Sequence, residues 1–442
     1  MPRSPNPTAG TSRRDFCSGA TALLLAPSGF LHAVAQQVSP PATPTRPDVA
    51  AIDHDRILTA AARYLTQAPK PLTAIQCPRS PGTVHDYYSE AAPESDADAP
   101  SLFTAHRDAL FELGLAVPAL AAAHLLTGDG RYAKHAAEHL SAWFVDPATR
   151  MTPSLNFGSV IVQPSPPPSA DDSPRFTVQT NPSFAAVPTA PAGTGRFQGI
   201  LETLPLAEVA QAIPFLEASG DLSDADLKWL RAWFQAYLHW LIDPQDSGPR
   251  LAALARDRKD HHGTSWLLQA SAYAAFTASG GDAPTSENAV LAELRHRFKS
   301  VTLRAQMSSD GTFPHELSSE NPYRDSLFNL DLFAGVCALL SNRFESVWDY
   351  SLEDGPGMRS AIAYHFPYMA DRSHWPFRSD RTHFTELPAR RASLLLSARA
   401  YQRPEYATLW KMLPPDPPAL DVLRTLPIHQ PLLWVRQPPR PA

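Results

Sequence analysis

The most concentrated group of chemically versatile side chains in the sequence is Asp260-His261-His262-Gly263-Thr264, immediately before an apolar helical pattern. A neutral imidazole can accept a proton, whereas a protonated one can neutralise a carboxylate. Two adjacent histidines at the start of a helix can point in different directions, so that one faces a cleft while Asp260 holds the other. The alternative interpretation is a polar loop whose histidines only cap the helix.

A second polar segment, residues 313–331, also leads into an apolar helical pattern and contains His315, Tyr323 and Arg324. Tyrosine can give or take a proton, and arginine can bind a carboxylate through two parallel hydrogen bonds. The segment is equally consistent with a solvated loop followed by a core helix. It therefore indicates chemistry only in combination with the histidine pair.

Zinc binding is another chemistry that these histidines suggest, because His261, His262 and His315 with one carboxylate would make a ligand set. Adjacent histidines, however, lack the one-turn spacing that puts two ligands on one face of a helix, as in H-E-x-x-H. We therefore predict no metal site and no cofactor.

The first 35 residues have the order of parts that is typical of a removable export signal. Residues 12–16 (SRRDF) form a twin-arginine pattern, residues 20–30 are apolar, and residues 33–35 (AVA) form a small-residue cleavage site. The apolar part is too short to span a bilayer, which takes about 20 residues. We predict export by the twin-arginine (Tat) machinery, cleavage near Ala35, a periplasmic or secreted location, and no membrane segment in the mature protein.

Composition narrows the classes of partner. The chain has 442 residues and a net charge of −6 at pH 7, and removal of the arginine-rich signal makes it more acidic. This argues against nucleic acid or an anionic membrane as a partner, although a locally basic cleft can still bind an acidic sugar. Cys77 and Cys337 remain after cleavage, and the sequence leaves open whether they pair or are separate buried thiols.

Hydrophobic periodicity predicts a mainly all-α fold. Helical patterns recur with short breaks at residues 108–126, 132–144, 225–242, 264–278, 287–303, 326–340 and 358–369. Ser223 is placed to cap the third of these, and strand patterns are few and lie mainly near the C-terminus. Many amphipathic helices joined by short loops predict stacked helical hairpins, arranged as a solenoid or an α/α toroid.

Local composition predicts the boundaries of the domain. Residues 36–52 are Pro-rich and predict a tether between the signal and a helical domain at 53–412. Within that domain, residues 163–195 are rich in Pro, Ser, Ala and Thr and predict a long surface insertion. The tail at 413–442 is Pro-rich but contains apolar residues, so we expect it to lie extended against the domain.

Several segments, taken in order, resemble the alginate-lyase-like family of polysaccharide lyases. Residues 260–266 (DHHGTSW) stand where the family has an Asn-Asn-His-Gly-Thr motif, and residues 316–330 (ELSSENPYRDSLFNL) resemble its Glu-Leu-Ala-Arg segment and the following Tyr-Ser-Leu-Phe-Asn-Leu. Shorter matches lie at residues 85–89, 125–132, 143–151, 155–157, 195–199, 348–350 and 375–376. The matches run in the family's order from His85 to Phe377, which is more specific than any single motif.

This resemblance implies an α/α toroid that cleaves uronic-acid polysaccharides by β-elimination. In that reaction the substrate carboxylate is neutralised, a base removes the C5 proton, and an acid protonates the leaving glycosidic oxygen. In the family, the Asn and His of the motif serve the carboxylate together with an Arg, and a Tyr or a His handles protons. The implied partner is therefore an acidic polysaccharide.

Three positions depart from the family pattern: His261 replaces an asparagine, Ser319 an arginine, and Asp325 a tyrosine. An unpaired Asp325 would repel a polyanion, and we do not expect Arg324 to pair with it, because neighbouring side chains tend to diverge. These departures leave two alternatives to a lyase. One is a catalytically degenerate carbohydrate-binding protein on the same scaffold, and the other is a toroidal glycoside hydrolase that uses two carboxylates.

We nevertheless predict a lyase with a rebuilt site that acts on alginate or a similar uronate polymer. His262 is expected to act as base or neutraliser, and His261 to take the place of the asparagine. Tyr323 or Tyr87 is expected to act as the acid. The residues expected to bind the substrate are Arg196, Arg324, Asn156, His315, His85, Tyr87 and Trp375.

Overall fold

Most of the described chain is helical, as the periodicity predicts. A computed structural model describes residues 46–92, 101–162, 193–243, 250–278 and 289–438. The signal predicted at 1–35 and most of the insertion predicted at 163–195 lie outside the described residues. The α-helices are α1 Val49–Ile52, α2 His54–Tyr64, α3 Ala105–Thr127, α4 Gly130–Leu140, α5 Pro205–Glu217, α6 Asp224–Ile242, α7 Leu251–Arg256, α8 His261–Ala278, α9 Ala289–Arg297, α10 Leu303–Gln306, α11 Pro314–Leu317, α12 Pro322–Leu340, α13 Met358–Ala370, α14 Ala392–Tyr401, α15 Pro404–Met412, α16 Leu420–Leu423 and α17 Pro431–Val435.

The helices form two layers. An inner series packs in chain order, with α3 against α5, α5 against α8, α8 against α12 and α12 against α14. Outer helices lie on this series: α4 on α3, α6 on α8, and α15 on α14. The short helix α17 contacts α3, α5 and α14, so it links the last inner helix to the first. This arrangement of helical hairpins is the predicted α/α toroid.

Burial explains the composition of the two layers. The inner helices α3, α8 and α12 are apolar over most of their surface, because other helices cover them on several sides. Two apolar segments, Ala105–Thr127 and Phe197–Glu217, are long enough to cross a membrane, but most of each is buried in this interior. The outer helix α6 begins where the sequence predicts, since the Ser223 hydroxyl accepts the Asp226 N–H at 3.1 Å.

The two strands of the described chain are not where the sequence predicts them. β1 (Tyr88–Ala91) pairs in parallel with β2 (Phe157–Ile161), whereas the C-terminal tail contains helices. β1 lacks an alternating pattern because its polar Ser89 and Glu90 are buried beside Tyr88. The buried thiol of Cys77 belongs to the same small cluster, and both it and Cys337 are free, so the two cysteines are separate thiols.

The ends of the helical domain are more ordered than their composition predicts. α1 lies within the segment predicted as a tether, and its Val49 is buried. The tail is not extended throughout, because α16 and α17 form in it, with Pro431 in the first turn of α17. The carboxylate of Glu208 on α5 holds the tail by accepting the backbone N–H groups of His429 at 2.8 Å and Gln430 at 2.6 Å. The sequence does not reveal this contact because Glu208 and His429 are 221 positions apart.

The crossing of α3 and α5 gives a test of the inner layer. A Cβ added at Gly114 would lie 2.3 Å from the Cβ of Pro205, a rigid ring at the start of α5. We expect Gly114→Ala to destabilise the protein by about 1–3 kcal/mol through overpacking, partly offset by a helix-propensity gain of up to about 1 kcal/mol. Gly130→Ala on α4 is the matched control, because its Cβ would meet only one atom, at 3.9 Å. Equal urea midpoints for the two variants would contradict the close crossing.

Candidate active site

The two adjacent histidines are the first residues of α8, and a different carboxylate holds each one. Glu316 accepts the backbone N–H of His261 at 2.6 Å and bonds its ring Nδ1 at 2.8 Å. Asp260 accepts the backbone N–H of His262 at 3.1 Å and bonds its ring Nδ1 at 3.0 Å. Each carboxylate thus caps the helix and orients one imidazole at the same time.

The surrounding packing fixes the planes of the rings. The two imidazoles stack with centroids 4.4 Å apart and an interplanar angle of 28°. The ring of Phe197 packs edge-on against His262, and the guanidinium of Arg258 lies over Phe197 while its Nε donates to Asp260 at 3.0 Å. Gly263 permits this approach, since a Cβ there would lie 2.3 Å from the carbonyl oxygen of Arg258.

The two rings differ in protonation. Burial favours the neutral form of His261, but the Glu316 carboxylate outweighs it and raises the pKa of His261 above its ordinary value. Burial lowers the pKa of His262, and the hydrogen bond that its ring donates to Asp260 does not reverse this. The two shifts are opposite, so the site favours the cationic form of His261 and the neutral form of His262. Because the Asp260 carboxylate can only accept, Nδ1 of His262 carries the proton and Nε2 keeps a free lone pair.

His261 lines a cavity of about 310 Å³ between the inner helices and the C-terminal tail. Four cationic side chains line it: His261, Arg107, Arg324 and Arg424. The lining also includes two acidic side chains, Glu202 and Asp325, and residues 424–427 of the tail. Asp108, outside the lining, pairs with both Arg107 and Arg424. Among the residues that line the cavity the cationic groups still outnumber the acidic ones, which suits a carboxylate-bearing ligand.

Asp325 is paired with its neighbour, contrary to the expectation from the sequence. The Nε of Arg324 lies 3.0 Å from the Oδ1 of Asp325. Both side chains are in the first turn of α12, which Asp380 fixes by accepting the backbone N–H groups of Tyr323 at 2.7 Å and Arg324 at 3.0 Å. Because the pair uses Nε, the two terminal nitrogens of Arg324 are left for a substrate carboxylate.

Glu202 is a cavity residue that the sequence analysis missed. Its Oε2 accepts hydrogen bonds from the hydroxyls of Tyr87, at 2.8 Å, and Ser89. Burial raises the pKa of Glu202, although these bonds and the nearby arginines oppose the rise. Ser89 in turn accepts the N–H of Ser159, a non-glycine residue in the left-handed conformation (φ 58°) at the cavity edge. No local motif surrounds Glu202, so only the buried polar residues of β1 could have pointed to it.

The predicted catalytic residues do not all lie together. The structure places His261 on the cavity, with His262 stacked beside it and 13% of the His262 side chain exposed. Tyr323 lies elsewhere: it is fully buried, and its hydroxyl donates to the carbonyl of Tyr368 at 2.8 Å. Tyr87 is buried behind Glu202, where burial raises its pKa well above the ordinary value. Neither tyrosine lines the cavity.

The predicted substrate-binding residues are more scattered. Arg324 lines the cavity, and Arg196 precedes Phe197, the neighbour of His262. Four others lie away from the cavity lining: Asn156 bonds Trp240 at 3.1 Å, Trp375 packs edge-on against Tyr323, His85 lines a different groove, and His315 is exposed on α11. Among the described residues, no group of three His, Cys, Asp or Glu side chains is arranged to hold a metal ion.

Comparison with known proteins identifies relatives of this chain in sequence and in fold. The sequence profile of the alginate lyase family matches residues 63–375. An alginate lyase from Bacteroides ovatus is 20% identical, with a TM-score of 0.67 over 88% of this chain and 94% of that one, which establishes a shared fold. Alginate lyase A1-III from Sphingomonas species A1 is 13% identical over 84% of this chain and 91% of that one, with a TM-score of 0.46. No curated protein sequence matches the chain.

The family profile spans well over half of the sequence and includes the histidine pair, Glu316 and the first turn of α12. The fold comparison agrees with it over most of both chains. The chain therefore belongs to the alginate lyase family and is a polysaccharide lyase.

Proposed function

We propose that the protein is an exported lyase that cleaves a uronic-acid polymer, such as alginate, by β-elimination in the cavity beside α8. The observation that carries the proposal is the stacked histidine pair, each ring held by its own carboxylate, beside a cavity lined by three arginines. A uronate needs its carboxylate neutralised before its C5 proton becomes acidic, and a base must then remove that proton. These groups can supply both the neutralising charge and the base. The twin-arginine pattern and cleavage site of residues 1–35 support export to the periplasm.

Neutralisation of the carboxylate is assigned to His261 and Arg324. His261 has Nδ1 bonded to Glu316, so its Nε2 is the nitrogen available for a substrate. Arg324 adds the two terminal nitrogens of its guanidinium, which match the geometry of a carboxylate. Together they stabilise the negative charge that develops on the carboxylate when the C5 proton leaves.

The proton transfers are assigned to His262 and Glu202. His262 has a free lone pair on Nε2 and a lowered pKa, so it is in the basic form near neutral pH. Glu202 receives two hydrogen bonds at Oε2, and therefore a proton on Glu202 is carried by Oε1. With its raised pKa, Glu202 can protonate the leaving glycosidic oxygen, a role for which no tyrosine lines the cavity.

The reaction and the base can be tested together. Purified protein incubated with several uronate polymers should generate an unsaturated uronate, followed by its ultraviolet absorbance. We expect His262→Ala to reduce kcat by about 10²–10⁴-fold, the usual contribution of a general base. Unchanged turnover in this variant would refute the assignment. Reducing ends without the absorbance would indicate hydrolysis by Glu202 and Asp325, and polymer binding without either product would indicate a degenerate binding protein.

The identity of the acid can be tested by comparing two variants. Glu202→Gln keeps the shape of the side chain but cannot donate an acidic proton, so we expect kcat to fall about 10²–10⁴-fold with little change in KM. Tyr87→Phe removes one hydrogen bond to Glu202, and we expect a much smaller loss. Steady-state kinetics on one polymer checks both. The reverse order of effects would identify Tyr87 as the acid.

The charge on His261 predicts a pH effect. Because Glu316 raises the pKa of His261 against the effect of burial, Glu316→Gln should lower that pKa. The cationic form is present only below the pKa, so the alkaline limb of the kcat/KM profile should move to lower pH in this variant. The acid limb, assigned to deprotonation of His262, should move to higher pH if it moves, because the charge on His261 lowers the pKa of His262. An unchanged alkaline limb would show that His261 does not neutralise the substrate.

A further inference from the structure

A second cavity, which we call the Trp229 groove, shares no lining residue with the catalytic cavity. It has a volume of about 510 Å³, within the range of about 300–1,000 Å³ that is usual for small-molecule clefts. Three parts of the chain form it: the turn at residues 83–85, residues 144–153 and the central part of α6. The residues that line it are Thr83, His85, Phe144, Pro147, Arg150, Met151, Thr152, Pro153, Trp229, Ala232, Trp233 and Ala236.

An exposed indole and an unpaired cation dominate the groove. Trp229 is 51% exposed, and the guanidinium of Arg150 lies 5.0 Å from its ring centroid. Among the described residues, the Arg150 side chain makes this cation–π contact and no ion pair with a carboxylate. No lining residue is acidic, although the chain as a whole has a net charge of −6. The groove therefore combines a flat apolar surface with local positive charge.

Hydrogen bonds hold the walls of the groove together. The indole nitrogen of Trp233 donates to the carbonyl of Met151 at 2.6 Å. The ring Nδ1 of His85 lies 2.9 Å from the carbonyl oxygen of Arg150, and within residues 144–153 the backbone N–H of Arg150 donates to the carbonyl of Asp146 at 2.8 Å. The turn and α6 are thus each tied to residues 144–153, so the groove is formed before any ligand arrives, which lowers the entropic cost of binding.

We propose that the Trp229 groove is a second binding site for acidic polysaccharide, separate from the catalytic cavity. A pyranose ring presents an apolar face of C–H groups, which fits against the exposed indole of Trp229. A uronate carboxylate on the same chain matches the cation of Arg150. The hydroxyl of Thr152 offers a hydrogen bond to a sugar hydroxyl, whereas that of Thr83 already donates to Asp86. The acidic nature of the ligand rests on the proposed function, and the groove holds the polymer while another stretch of it reacts.

The test is affinity electrophoresis of the full-length protein in native gels that contain alginate, in a His262→Ala background that prevents cleavage. We expect Trp229→Ala to weaken retardation by about tenfold or more, as for a central aromatic contact. Arg150→Gln removes the cation but leaves the indole in place, and it should also reduce retardation by alginate. Phe344→Ala is the matched control, because Phe344 is also exposed (82%) and carries Arg343 over its ring at 4.4 Å, outside the groove.

The outcomes separate the groove from the catalytic proposal. Retardation that is lost with Trp229→Ala and Arg150→Gln but kept with Phe344→Ala supports the groove, even if no lyase product forms with any uronate polymer. Retardation that is absent in the parent protein, or equal in all variants, overturns the groove, even if the enzyme proves to be a uronate lyase. Equal retardation by neutral hydroxyethylcellulose overturns the assignment of an acidic ligand. In the active protein, Trp229→Ala should leave kcat on a short uronate oligosaccharide within about twofold.

Discussion

The site depends on the way two carboxylates cap the start of α8. Glu316 and Asp260 each bind both the backbone N–H and the ring nitrogen of one histidine. One set of contacts therefore begins a central helix and orients two imidazoles, while the balance of burial against the carboxylate contact shifts the pKa values of the two rings in opposite directions. The positive end of the α8 dipole lies at the same place, which adds to the attraction of the site for an anion. The tight approach at Gly263 is what brings the chain before α8 close enough for Asp260 to take part.

The departures from the family pattern compensate one another. An imidazole at position 261 replaces an amide, but Glu316 raises the pKa of this ring and so favours a cation, which an asparagine cannot supply. Asp325 would repel a polyanion by itself, yet Arg324 is bonded to it and still presents terminal nitrogens. The arginines at positions 107 and 424 also line the cavity, and Asp108 outside the lining pairs with both. The altered site thus still presents cationic groups to a substrate carboxylate, but it places them at His261 and Arg324 instead of at the family's arginine position.

The sequence predicted what depends on local pattern. Helical periodicity located most of the long helices, including α3, α6, α12 and α13, and the histidine pair was correctly placed at the start of α8 with Asp260 holding one ring. The sequence did not predict hydrogen bonds between distant segments, such as those of Glu316 with His261 and of Tyr87 with Glu202. The pairing of Arg324 with Asp325 was excluded on a general tendency of neighbouring side chains, which the capping of α12 by Asp380 overrides. The chemistry of tyrosine predicted Tyr323 as the acid, but its position in α12 directs the side chain into the core, where it is fully buried.

One wall of the cavity comes from residues 424–427, beyond the end of the family profile at residue 375. That wall is held by Glu208, more than 200 positions earlier, and by Arg391, which donates to the carbonyl of Thr425 at 2.9 Å. Closing such a long loop is entropically costly, so contacts of this kind form late in folding. A chain that has assembled its helical layers but not docked its tail would give the circular dichroism of the native protein without its binding pocket. Secondary-structure content alone is thus a poor measure of the fraction of the enzyme that has a complete binding pocket.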